Sequence, residues 1–171
     1  IVVIGGGNTA IDIAVQSKKL GAEDVTLAYR RGPEQMSATW KEQEFAQTNG
    51  VRVKHWVAPK SLRSENGHVT GIEFECTELN PEGKLRGTGE LRHMEADVVF
   101  KAIGQLLEDS VFSGSEMPAI EGGKITVNLE FETSLPGVWA GGDCVDSGED
   151  LTVQSVEDGK QAALSIHRRL K

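Results

Sequence analysis

Ile1-Val2-Val3-Ile4-Gly5-Gly6-Gly7-Asn8-Thr9-Ala10 is the stretch on which the fold of this chain turns. Four β-branched residues ending in glycine read as a short parallel strand buried on both faces. From Thr9 the apolar positions Ala10, Ile11, Ile13, Ala14 and Leu20 fall near helical spacing, and Gly21 stands where a helix stop belongs. Residues 24–29 (DVTLAY) then form a second strand. Strand, glycine turn, helix and strand within about thirty residues make a βαβ unit with a right-handed crossover.

The glycines of that turn match GxGxxA directly after a strand and at the opening of a helix, the context that gives the pattern meaning. Gly5 permits the tight turn, Gly7 lets backbone approach a pyrophosphate, and the small Ala10 allows close packing of helix on strand. Asn8 and Thr9 open the helix, whose free N–H groups and positive dipole end suit phosphate. About twenty residues later, where an NAD enzyme offers a carboxylate to the ribose, this chain has Tyr29-Arg30-Arg31. Glu23 and Asp24 stand at the beginning of the second strand rather than at its end and are poorly placed for that role. Two guanidiniums at the strand's end suit a 2′-phosphate by charge and bidentate geometry, which favours NADP(H) over NAD(H); the plain alternative is a solvated basic pair.

Residues 38–48 have helical composition and Asn49-Gly50 ends them before a strand over 51–57, a second β-α-β step. Between residues 62 and 99 short alternating runs are separated by Glu65-Asn66-Gly67 and Asn80-Pro81-Glu82-Gly83, an antiparallel meander. Strands are expected at 125–127 and 138–140, and a last helix over about 151–169. The architecture expected is α/β: a Rossmann-like parallel sheet with an antiparallel β-meander over residues 1–104, followed by residues 105–171.

Composition narrows the partners. With 18 basic and 26 acidic residues among 171, the formal charge is −8, so neither nucleic acid nor an anionic membrane is expected as a partner. The longest apolar run is four residues, against the ~20 that span a bilayer, and no signal segment opens the chain, so a cytoplasmic location is expected. Cys76 and Cys144 form no CxxC, and His55, His68, His93 and His167 form no local ligand pair, so no metal site is read. No GxSxG occurs; the nearest stretch, at 112–115, is FSGS. Glu149-Asp150 and Glu157-Asp158 read as solvated charge rather than as an acid/base couple, and no catalytic acid or base is named. Because Ile1 already lies in a strand, the chain is expected to be part of a longer one.

Near the other end, Gly137-Val138-Trp139-Ala140-Gly141-Gly142-Asp143, a short polar loop and Leu151-Thr152-Val153-Gln154-Ser155 repeat the strand–loop–helix arrangement. Here the chain resembles the two-dinucleotide-binding-domain flavoprotein reductases. More closely, IGGGNTAIDIA, VTLAYRR with the following Met36-Ser37-Ala38, AIGQ and GVWAGGD resemble the branch containing the glutamate synthase small subunit and the NADPH-oxidising part of dihydropyrimidine dehydrogenase. The resemblance implies an NADPH domain inserted in an FAD domain, with residues 105–171 the returning C-terminal FAD segment. It implies that Gly142 and Asp143 hold the flavin's ribityl chain, that Thr152 and Val153 face the flavin, and that Ala102, Ile103 and Gly104 form the linker passing close to both nucleotides. Hydride would pass from NADPH to FAD and electrons onward to iron-sulfur clusters, which belong to the parent and not to this chain, or to an electron-accepting subunit.

The same resemblance implies a missing N-terminal FAD segment, so that this chain by itself binds FAD weakly and is inactive alone. Disulfide reduction is not expected, since the CxxC of thioredoxin reductases has no counterpart. Two alternatives stay open. One is a stand-alone NADP(H)-binding or sensing module. The other is a simple dehydrogenase, which would need a Tyr-Lys pair where the only tyrosine, Tyr29, sits in a strand.

Overall fold

The computed structural model describes residues 1–108, 110, 112 and 117–171, so residues 113–115 of the FSGS stretch lie outside the described residues. The chain divides into two compact units, Ile1–Gly104 and Gln105–Lys171.

The first unit is built on a four-stranded parallel sheet of β1 (Val2–Ile4), β2 (Thr26–Ala28), β3 (Arg52–Lys54) and β7 (Val99–Lys101), in the order β3-β2-β1-β7. Helix α1 (Asn8–Lys19) joins β1 to β2, and α2 (Trp40–Thr48) joins β2 to β3. Both faces of the sheet are covered at its centre, which is why β1 and β2 are buried on both sides while β3 and β7 at the edges carry exposed residues. Val3 and Leu27 meet α1, α2, Met36 and Ala38 on one face. Val2 and Ala28 meet Val57, Ile72 and Phe74 on the other.

That second face is closed by the antiparallel sheet of β4 (Val57–Glu65), β5 (His68–Leu79) and β6 (Leu85–Glu95). Asn66 and Gly67, with φ of 51° and 81°, make the two-residue turn between β4 and β5, the tight hairpin that Asn-Gly favours. The expected single strand over 51–57 is in fact two. The chain leaves the parallel sheet after Lys54, turns at Trp56 with φ of 61°, and enters the meander at Val57, so the meander begins before residue 62. The last alternating run also divides between sheets, β6 ending at Glu95 and β7 starting at Val99. Both breaks lie where apolar periodicity continues across a change of sheet, which local pattern does not register.

The second unit has the small hairpin β8 (Ile120–Glu121) and β9 (Lys124–Ile125), followed after a long irregular stretch by α3 (Thr152–Leu170). The strand expected over 125–127 is found one residue earlier and shorter, at Lys124–Ile125, Val127 making an isolated bridge with Thr133, and residues 138–140 are not a ladder strand: Trp139 makes an isolated antiparallel bridge with Glu132. Backbone bonds flank that bridge, Thr133 N–H donating to the Val138 carbonyl at 2.8 Å and Ala140 N–H to the Phe131 carbonyl at 3.1 Å, and side chains add to them, Trp139 Nε1 donating to Ser165 Oγ at 3.0 Å and Arg169 lying over the indole. Among the described residues no helix is long and apolar enough to cross a membrane.

Candidate functional site

In the first unit the C-terminal ends of β1 and β2 lie side by side, Ile4 paired with Ala28, so the turn at Gly5–Gly7 and the arginines after Tyr29 open on the same edge of the sheet. In doubly wound folds this is the edge where ligands bind. Gly5 is required there: a Cβ on it would stand 2.2 Å from the Ala102 carbonyl oxygen and 2.9 Å from the Ala10 Cβ. Ala102 donates from its N–H to Ile4 at 2.8 Å, so the linker residue is part of the wall behind the turn, whereas Ile103 beyond it is 63% exposed and Gly104 adopts φ of 91°.

Gly7 caps α1 and has no side chain to offer, and the first turn carries no acidic residue. The backbone N–H groups of Gly6, Gly7, Asn8 and Thr9 have no partner among the described residues; the helix's own bonding starts with Ala10 and Ile11, both donating to the Gly7 carbonyl. Such a row of unpaired donors at a helix's positive end has the donor chemistry that suits an anion. Helix α2 differs in carrying a side-chain cap, Thr39 Oγ1 accepting from Glu42 N and Glu42 Oε2 accepting from Thr39 N at 2.8 Å, although the N–H groups of Trp40 and Lys41 have no partner among the described residues.

Sequence reasoning did not find what holds this turn. The ring of Tyr29 occupies the space over Gly6, where a Cβ would be 2.4 Å from Cε2, and its hydroxyl donates to the Gln35 carbonyl at 2.5 Å. Ala38 N–H donates to the Gly6 carbonyl at 3.0 Å, which fastens residues 32–38 beside the turn and buries Met36 and Ala38 in the core. The middle glycine was a signal for such contact, since no pattern position demanded it.

Arg30 is exposed and Arg31 half-buried. The chain has eight arginines, and Arg52, Arg63, Arg86, Arg92, Arg168 and Arg169 are each paired with a carboxylate. Arg30 and Arg31 have no such partner among the described residues. Asp24 is engaged with Arg52 at 2.6 Å, at the opposite end of β2.

In the second unit the Gly141-Gly142-Asp143 turn meets the start of α3. Gly142 takes φ of 83°, and a Cβ on Gly141 would fall 2.9 Å from the Asp158 Cβ. Asp158, expected as solvated charge, is fully buried: one carboxylate oxygen accepts Gly142 N–H at 3.0 Å and the other the Gln154 amide at 2.6 Å. The Glu157-Asp158 pair misleads because helical geometry sends adjacent residues to different faces, so Glu157 stays exposed with Lys160 and Gln161 while Asp158 turns inward. Asp143 itself is exposed, and Ser155 Oγ donates to its Oδ1 at 3.0 Å. Leu151 caps α3 without a side-chain bond, and the N–H groups of Thr152, Val153 and Gln154 have no partner among the described residues.

His55 follows β3 directly, beside Trp56. Burial pushes its imidazole below the ordinary 6.5, Glu34 opposing this, and its Nε2 is enclosed without a hydrogen-bond partner.

Two glycine turns, one opening α1 and one meeting the start of α3, belong to an α/β fold with a parallel sheet. The chain belongs to the pyridine nucleotide-disulphide oxidoreductase family, which matches residues 1–159. It is 36% identical over 182 residues to the glutamate synthase (NADPH) small chain of Escherichia coli (strain K12), covering 97% of this chain and 38% of that protein. It is 34% identical over 178 residues to the NADP(+)-dependent formate dehydrogenase subunit beta of Moorella thermoacetica, covering 100% of this chain and 25% of that protein. Thioredoxin reductases of T. acidophilum and Lactococcus lactis share the fold, with TM-scores of 0.82 and 0.81 at 24% and 22% identity, over 98% of this chain and 51% of each of theirs. The chain thus spans about a quarter to two fifths of the curated relatives it matches.

Proposed function

We propose that this chain is the NADPH-binding part, with a C-terminal portion of the FAD-binding part, of a cytoplasmic flavoprotein oxidoreductase of the glutamate synthase small-chain type. Bound NADPH would supply a hydride and bound FAD would accept it, electrons then leaving for iron-sulfur centres or an electron-accepting subunit. The residues present fit both groups by donor chemistry. The N–H groups of Gly6, Gly7, Asn8 and Thr9 hold the pyrophosphate, with Gly5 and Ala10 keeping strand and helix close. Arg30 and Arg31 hold the 2′-phosphate, and Ala102, Ile103 and Gly104 form the linker between the two nucleotide sites.

In the second unit Gly142 and Asp143 hold a polyol, the Asp143 Oδ2 being without a partner among the described residues. The free N–H groups of Thr152 and Val153 favour negative charge on the flavin. The missing partner of this unit is an N-terminal FAD segment of the parent chain. Exposed Val153 and Val156 on α3, at 75% and 69%, support a covering surface, as does the small share of each relative that the chain spans.

The observation that carries this reading is the unpaired arginine couple standing on the same sheet edge as four unpaired N–H groups. Calorimetric titration of the chain with NADPH and NADH tests it. Arg30→Ala with Arg31→Ala is expected to weaken NADPH about 100-fold, two charge-assisted contacts' worth, and to leave NADH unchanged. Equal losses for the two nucleotides would sink the assignment.

A further inference from the structure

We infer that Thr77, in β5, the middle strand of the meander, is a positioning residue that sets the Arg30–Arg31 pair for an adenosine 2′-phosphate group. The inference rests on the 2′-phosphate reading given above. Where the chain leaves β2, three successive carbonyls are each taken up by a donor from beyond β3 in the sequence. Tyr29 accepts from Val57 N–H at 3.1 Å, Arg30 from Thr77 Oγ1 at 2.7 Å, and Arg31 from Trp56 N–H at 3.3 Å. The first and third donors are backbone groups that any side chain would leave in place. Only the bond to Arg30 comes from a side chain, so only this one depends on residue identity.

Thr77 is placed for the task by an irregularity in its strand. Ile72 and Phe74 are buried, and strict alternation would next bury Cys76. The pairing with β6 shifts register between Glu75 and Thr77, and across that shift the buried position is Thr77, 7% exposed, while Cys76 is only half-buried. Such shifts re-aim side chains. The same residue also ties the turn that supports Arg31, its N–H donating to the Trp56 carbonyl at 2.9 Å. Trp56 in turn holds a φ of 61°, unusual for a bulky residue, and its ring lies where a Cβ on Gly32 would come within 2.8 Å. Arg30, Arg31 and Gly32 are therefore fixed from the meander side at consecutive residues, which gives the meander a purpose in nucleotide choice.

The test is titration of the full chain, its Thr77→Val and Thr77→Ser variants, and each combined with Arg30→Ala plus Arg31→Ala, using NADPH, NADH and adenosine 2′,5′-bisphosphate. Valine keeps the shape and removes the hydroxyl; serine keeps the hydroxyl. Thr77→Val is expected to weaken NADPH and the bisphosphate about tenfold, leaving NADH unchanged, Thr77→Ser to stay within twofold of the unaltered chain, and Thr77→Val to add nothing once both arginines are gone. Unchanged NADH affinity also reports that the variant is folded; should Thr77→Val not fold, Thr77→Ala gives the same comparison. Equal loss for all three ligands, no loss for NADPH, or a serine variant as weak as valine overturns the role of Thr77. If the arginine double variant itself loses NADPH and NADH alike, the 2′-phosphate reading has failed and the inference goes with it.

Discussion

The two glycine turns of this chain present an open helix end by different means. At Gly5–Gly7 the turn is backed by close approach: a backbone carbonyl from Ala102 behind Gly5 and the Tyr29 ring over Gly6. At Gly141–Gly142 it is backed by a charge, the buried Asp158 carboxylate that receives the turn's own N–H and the Gln154 amide. The first unit can rely on steric fit because strands on both sides of β1 and a helix above it already define the space. In the second, the segment before the turn pairs only briefly, through the Glu132–Trp139 bridge and the backbone bonds beside it, and a hydrogen-bonded carboxylate adds to the support of the turn. Helix α2 differs from both in carrying a capping box of Thr39 and Glu42.

The comparison can be broken most severely at Gly5. Gly5→Ala puts a methyl group into the Ala102 carbonyl, and a loss of about 3 kcal/mol in stability is expected in urea unfolding followed by circular dichroism. A midpoint unchanged from the parent would show that the turn has slack the geometry does not display. Asp158→Ala should cost about 2 kcal/mol, by stranding a buried N–H and an amide. Its particular signature is faster hydrogen exchange at the Gly142 amide with NADPH affinity unaltered; unaltered exchange at Gly142 would contradict the carboxylate's role. The smallest effect is expected at the control helix. Thr39→Ala removes the cap of α2 for about 1 kcal/mol and leaves nucleotide affinity where it was, so a drop in NADPH binding there would blur the distinction between capped and uncapped helix ends.

Much of this architecture is legible along the chain because its signals are local. Ile1 to Ile4 followed by glycines announce a buried strand and a helix start, and Asn66-Gly67 and Asn80 to Gly83 announce the hairpins of the meander, since each rests on the conformational range of a few adjacent residues. The positions of both helix openings are found the same way. The contacts that hold them are not, because they join residues far apart in sequence: Tyr29 to Gly6, Ala102 to Gly5, and Thr77 to Arg30 across 47 positions.

What the sequence determined by itself, then, is the order of strands and helices, the α/β class and the family, for hydrophobic period, glycine placement and ordered motifs are written in short stretches. Only the tertiary structure decided that residues 51–57 serve two sheets, that residues 138–140 form no strand, and that Asp158 is buried while Glu157 is not. Each of those outcomes depends on which partner surface is nearby. A β-run is divided, or a carboxylate buried, only where a distant segment supplies the hydrogen bonds that replace water, and no local pattern carries that information.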